Sequence, residues 1–127
     1  MLKQISKVKF EPMNEIHMNE VQLLNELLEV IEADGDINNV FNKFLDDVKY
    51  HFSFEENLME KYNFFAKVPH KMEHDKIINE LQNIKDNYND TKELLFYFDN
   101  VFIPWLDNHI KTMDTVTGGY FDMINAK

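Results

Sequence analysis

Cysteine is absent from this chain of 127 residues, which excludes disulfides, thiolate zinc sites, iron–sulfur ligation and cysteine nucleophiles together. A reducing, cytoplasmic setting is expected. Glycine and proline are scarce, three of each, so little interrupts a helix and long regular segments are expected. Positive charge is also short. The 13 basic residues face 23 acidic ones for a formal net charge of −10, a surface that repels polyanions, so nucleic acid is not expected as a partner. No apolar run suffices for a membrane span or a signal h-region: Met1 to Phe10 mixes Lys3, Lys7 and Lys9 with isolated apolar residues, and a soluble, unexported protein with no membrane partner is expected.

What the chain does contain is core-forming material, 44% apolar and 13% aromatic, enough for one compact unit at this length. We expect a single domain over residues 1–127, with an N-terminal arm at 1–11 and a C-terminal tail at 115–127. Helix one is predicted from Pro12 to Ala33, closed by Asp34-Gly35-Asp36 with Gly35 in the left-handed cap conformation. Helix two is predicted over Ile37 to Tyr62, and helix three from Pro69 to about Asn87. Asp90 and Glu93 have the capping-box spacing that opens helix four, and Gly118-Gly119 is expected to end the regular part. Connections this short favour antiparallel neighbours, so the predicted fold is all-α, an up-down-up-down four-helix bundle.

All five histidines fall into one pattern: His17, His51 with Glu55 four residues on, His70 with His74 four on, and His109 with Asp114 five on. Pairs at i, i+4 project from one helix face toward a common point, and neutral imidazoles with carboxylates are the ligand set suited to non-haem iron. The apolar stripes run through these residues, as in Phe44, Val48, His51, Glu55, Leu58 and in Leu95, Phe98, Phe102, Trp105, His109, so they should face inward. They also share a level, because they sit early in helices one and three and late in helices two and four. Asp114 alone is off the face, about 140° from His109 on an ideal helix. A π-type turn near Lys111 to Asp114 is predicted to correct this, and Pro104 should kink or divide helix four.

Taken singly, an inward histidine is more often a hydrogen-bonded core residue than a ligand, and Glu55 or Asp114 would pass for a solvated carboxylate. Together they reverse that reading. Five imidazoles and two carboxylates in an oily core, each costing a few kcal/mol to desolvate, would rival the whole stability of a domain without a cation. If two octahedral ions share the site, with both carboxylates and one oxo or hydroxo oxygen bridging them, about eleven of twelve positions are filled. One stays open for a small ligand.

These residues resemble the hemerythrin family, in particular its single-domain bacterial members. The resemblance covers about His17 to Asp114 through His17, the stretch His51-Phe52-Ser53-Phe54-Glu55-Glu56-Asn57-Leu58-Met59, the pair His70 and His74, and Trp105-Leu106-Asp107-Asn108-His109-Ile110-Lys111-Thr112-Met113-Asp114. It implies two iron ions (Fe2+/Fe3+) with an oxo or hydroxo bridge: His70, His74 and His109 on the saturated iron, His17 and His51 on the iron with the open position, Glu55 and Asp114 bridging. It further implies reversible binding of dioxygen, or another small diatomic ligand, with O2 held as hydroperoxide. Trp105, Leu106 and Ile110 match the apolar positions that line the family's oxygen pocket, although ordinary packing would use them equally.

The chain departs from the family pattern in two places. Glu20 stands where an aliphatic residue is usual, and we expect it to lean into solvent while Val21 lines the pocket; turned inward, it would be an extra ligand, a hydrogen-bond partner or a proton donor. The arm lacks the usual tryptophan, with Phe10 the only substitute nearby. The leading function is an oxygen carrier, store or buffer rather than an enzyme, with at most low oxidase or peroxidase activity. The alternatives are an oxygen or redox sensor, which usually needs an output module, and a di-iron peroxidase or a nitric-oxide or oxygen reductase. Nothing in the residues identifies a reductase partner. Ferritin-like Glu-x-x-His pairs and the His-Glu-x-x-His of zinc proteases are both missing.

Overall fold

The computed structural model describes residues 5–127, so the first four residues of the expected N-terminal arm lie outside the described residues. The chain forms four helical rods and, among the described residues, no strand. The first three are α1 (Glu11–Glu32), α2 (Ile37–Lys61) and α3 (Lys67–Asn87). The fourth is continuous but not uniform. It runs as α4 (Thr91–Tyr97), a π-helical stretch (Phe98–Phe102), α5 (Ile103–His109), a second π-helical stretch (Ile110–Asp114) and α6 (Thr115–Met123). α1 packs against α2 and α4, and α2 against α3, in the four-helix bundle expected. Among the described residues no helix is long and apolar enough to cross a membrane.

Helix starts follow side-chain chemistry. Asp36 accepts from the Asn39 amide at 3.3 Å to open α2, and Asp90 accepts from the Glu93 amide at 2.8 Å to open α4, each satisfying an otherwise orphaned N–H. α1 has no side-chain cap and instead places Pro12 in its first turn, where a missing amide hydrogen costs nothing. Helix ends follow a different rule from the one expected. The left-handed residue after α1 is Asp34 (φ 54°), not Gly35, and the Gly35 amide reaches back to the Val30 carbonyl at 2.9 Å. Asn63 and Asn125 do the same (φ 48° and 53°), followed by Phe64 and Ala126, whose amides bond to Met59 and Phe121. Asp and Asn tolerate this conformation better than other residues with a Cβ, and after Asn63 and Asn125 a buried apolar residue, Phe64 or Ala126, seals the helix end.

The expected tail at 115–127 is helical through Met123, and Gly118-Gly119 does not break it. The reason is packing. Phe121 is fully buried, in edge-to-face contact with Phe10 at 5.4 Å and close to Phe64 at 6.3 Å, so α6 closes one end of the core and outweighs the roughly 1 kcal/mol helical penalty of each glycine. Gly118 also admits the arm: a Cβ there would lie 3.0 Å from the Val8 side chain. Asn14 holds Val8 in place, accepting its amide at 2.8 Å and donating to its carbonyl at 2.9 Å.

The other end of the core is aromatic, with Phe44 edge-on to Phe98 and Phe102 at 6.0 and 5.4 Å. Here the stripe predicted for helix four shifts. Leu94 and Tyr97 are buried, while Leu95 is half-buried, because the π-helical stretch at Phe98–Phe102 holds an extra residue and rotates the turn before it. That stretch ends at Phe102, two residues before Pro104, so the proline lacking an amide hydrogen is met by a local change of helix type within a continuous rod.

Candidate metal centre

Between these apolar ends the bundle buries five imidazoles and two carboxylates. His17 comes from α1, His51 and Glu55 from α2, His70 and His74 from α3, His109 from α5 and Asp114 from the following π-helical stretch. All seven are 1% exposed or less. The π-helical stretch over Ile110–Asp114 is what turns Asp114 inward despite its five-residue spacing from His109. The Thr115 hydroxyl supports it, donating at 2.7 Å to the Ile110 carbonyl, which also accepts the Thr115 amide.

The two carboxylates divide the histidines. Glu55 Oε2 lies 2.6 Å from His51 Nε2 and 3.6 Å from His17 Nε2, while Oε1 lies 3.3 Å from both His70 and His74 Nε2. Asp114 repeats the division. Its Oδ2 is 3.1 Å from His17 Nε2, and its Oδ1 is 3.1 Å from His70 and 3.2 Å from His109. Two sets of donor atoms result, each within 4.8 Å internally and each able to hold a metal ion: His70, His74, His109, Glu55 and Asp114, and His17, His51, Glu55 and Asp114.

Several of these atoms lack a good hydrogen-bond partner among the described residues, including His74 Nε2, Glu55 Oε1 and both Asp114 oxygens. Imidazole nitrogens and carboxylate oxygens turned toward one another in this way fit a cation, since lone pairs alone repel. The protonation preferences carry the same tension. Burial by itself lowers the pKa of His17 and His70, but hydrogen bonds to Asp114 and Glu55 outweigh it and raise each to about 9. His51 is likewise raised against its burial, chiefly by the charges of Glu55 and Glu20. Burial raises Glu55 and Asp114, yet the surrounding histidines pull both below the usual carboxylate range.

The outer nitrogens of three rings are tethered. His51 Nδ1 donates to Glu20 at 3.1 Å, His74 Nδ1 donates to Glu56 at 2.9 Å, and His70 Nδ1 lies 2.8 Å from the Thr117 hydroxyl. Such partners fix ring orientation and leave Nε2 free to face a metal. Glu20 corrects the expectation that it leans into solvent: it is 1% exposed and turned toward His51, because a carboxylate three residues after His17 on α1 meets the α2 face that carries His51. Val21, beside it, lines a cavity of about 640 Å³ with Ile5, Asn14 and Met18. Leu106 and Ile110 are buried, and Trp105 is half-buried with its indole N–H donated to Glu73 at 2.6 Å.

Sequence reasoning missed Glu56, Glu73 and Thr117 as partners and gave Phe52 no role of its own. Phe52 stacks on His74 at 3.9 Å with rings 2° from parallel, and Trp105 stacks on His109 at 4.6 Å. Glu56 and Glu73 each neighbour a residue of the pattern, but Thr117 has no local signal, since its partner His70 is 47 positions away.

Comparison with known proteins agrees with this picture. The hemerythrin HHE cation binding domain family matches residues 9–120. A protein named bacteriohemerythrin from Aquifex aeolicus is 30% identical over 119 residues, covering 90% of this chain and 91% of its own. Proteins named hemerythrin-like from Naegleria gruberi and Naegleria fowleri are each 33% identical over 102 residues, or 80% of this chain and 76% of theirs. No solved structure matches. With a domain family matched from the arm to α6, and a relative aligned along nine-tenths of the chain, this protein belongs to the hemerythrin family.

Proposed function

We propose that this protein binds dioxygen reversibly at a non-haem di-iron centre and serves as an oxygen carrier, store or buffer. In this reading His70, His74 and His109 hold one iron, His17 and His51 hold the other, Glu55 and Asp114 bridge them, and an oxo or hydroxo group completes the bridge. The single observation that carries it is the division of oxygens: each carboxylate turns one oxygen toward the two-histidine side and the other toward the three-histidine side. The unequal histidine count supports an open position on the side of His17 and His51. When bound, an iron pair supplies the two electrons that a dioxygen molecule takes up and returns.

The chain's own residues hold and shelter the centre. Thr117, Glu20 and Glu56 orient three of the imidazoles. Phe52 and Trp105 stack on two of them and, with Leu106 and Ile110, keep water from the polar atoms. A single folded unit over residues 1–127 is part of the same proposal.

One observation favours a second reading. The inward carboxylate of Glu20 is a group suited to proton delivery, as a di-iron peroxidase or a nitric-oxide or oxygen reductase would need. Anaerobic iron loading followed by titration with O2 separates the two. We expect two irons per chain and a charge-transfer spectrum that disappears when oxygen is removed. Immediate irreversible oxidation, or rapid turnover of peroxide with an added reductant, would replace the carrier reading with the enzymatic one.

A further inference from the structure

Glu20 is the buried carboxylate that neither set of donor atoms uses. It lies on α1, one turn after His17, and its Oε1 accepts from His51 Nδ1 at 3.1 Å. Its Oε2 is buried with no hydrogen-bond partner among the described residues. A carboxylate placed in an interior costs several kcal/mol unless charge and hydrogen bonding offset it, so a helix face that needed only apolar character here would be more stable with leucine. What offsets the cost is His51, whose other nitrogen lies 2.6 Å from Glu55.

A neutral imidazole carries one N–H, and a carboxylate can only accept. Carboxylates flank both nitrogens of His51, Glu20 at Nδ1 and Glu55 at Nε2; with a cation between Nε2 and Glu55, the single proton of the neutral ring stays on Nδ1 beside Glu20 and the Nε2 lone pair is directed at the centre. The partner ring on this side has no such help, since His17 Nδ1 is buried without a partner among the described residues. The two sides of the centre are unequal in imidazoles, three against two. A full negative charge behind His51 makes that ring a stronger donor and draws a cation to the poorer side.

Resting on the two-metal reading above, we infer that Glu20 is a positioning residue for the side of the centre formed by His17 and His51: it locks His51 in the Nδ1–H tautomer and raises that side's affinity for a divalent cation. It acts through His51.

Cobalt(II) titration of the metal-free chain, followed by proton NMR of the paramagnetically shifted ring N–H signals, tests this without reference to oxygen. In the native chain two cobalt ions should bind, with the His51 N–H protected from solvent exchange. In Glu20→Leu one of the two affinities should fall by about tenfold or more, the other should stay, and the His51 N–H should exchange faster. Glu20→Gln keeps an acceptor but removes the charge, so the His51 signal should survive while the same affinity falls. Two unchanged affinities and an unchanged His51 signal in Glu20→Leu would overturn the inference alone, and so would equal weakening of both ions, which signals general loosening. A native chain that takes up fewer than two cobalt ions overturns the two-metal reading and this inference with it.

Discussion

Glu55 and Asp114 each serve histidines on both sides with a single carboxylate, one oxygen to each side, and no other residue of the centre does so. Replacing either by alanine removes a contact for at least three rings at once. The expected result for Asp114→Ala, measured by metal analysis of protein loaded without oxygen, is iron falling from two per chain to one or fewer. The metal-free fold should also weaken by roughly 3 kcal/mol, the cost of stranding buried partners of a removed charge. Unchanged iron content would remove Asp114 from the bridging role. At this scale the sequence was legible wherever a residue sat in a repeating pattern: the seven side chains that converge in the bundle all stood in the histidine spacing. Glu20 was misread because a carboxylate on an acidic helix looks solvated, and only the α2 face opposite it shows otherwise.

Regular helical spacing would have placed Asp114 wrongly, and the π-helical stretch is the physical answer to that spacing. Its existence was predictable from the five-residue step between two inward side chains, whereas the other stretch, at Phe98–Phe102, was signalled only by Pro104. The element misjudged outright is α6. Two adjacent glycines read as a stop, yet Gly118 is where α6 leaves room for Val8 of the strapped arm. Gly118→Ala should raise local helix propensity but drive a methyl group into Val8, with a net loss of about 1–3 kcal/mol typical of overpacking. Thermal unfolding of the variant should show a Tm lower by several degrees. A higher Tm would mean that the arm shifts aside freely and that propensity decides at this position.

Across the whole molecule, every helical rod contributes to the centre, so protons and metal ions compete for the element that ties the bundle together. In the metal-free protein His17 and His70 have pKa values raised to about 9 from 6.5, a contribution fully present below pH 6.5 and lost as pH rises through about 9. Glu55 and Asp114 are shifted downward, so their contribution is present above the ordinary carboxylate range and lost as pH falls. The metal-free Tm should therefore decline between pH 6.5 and 9. Metal requires neutral histidines and displaces those protons, so the loaded protein should hold or gain stability over the same window. Calorimetry of both forms checks this, and parallel curves would show that metal and protons do not share these residues.

The sequence by itself determined the helical class, the four-rod arrangement and the convergence of five imidazoles and two carboxylates, because helix periodicity and side-chain chemistry are local properties that survive being read one residue at a time. Only the tertiary structure decided which oxygen faces which histidine, that Glu20 turns to His51, that Thr117 supports His70 and that α6 continues past its glycines. Those outcomes depend on the distance between residues far apart in the chain, where packing energy outweighs the local preferences that a sequence displays.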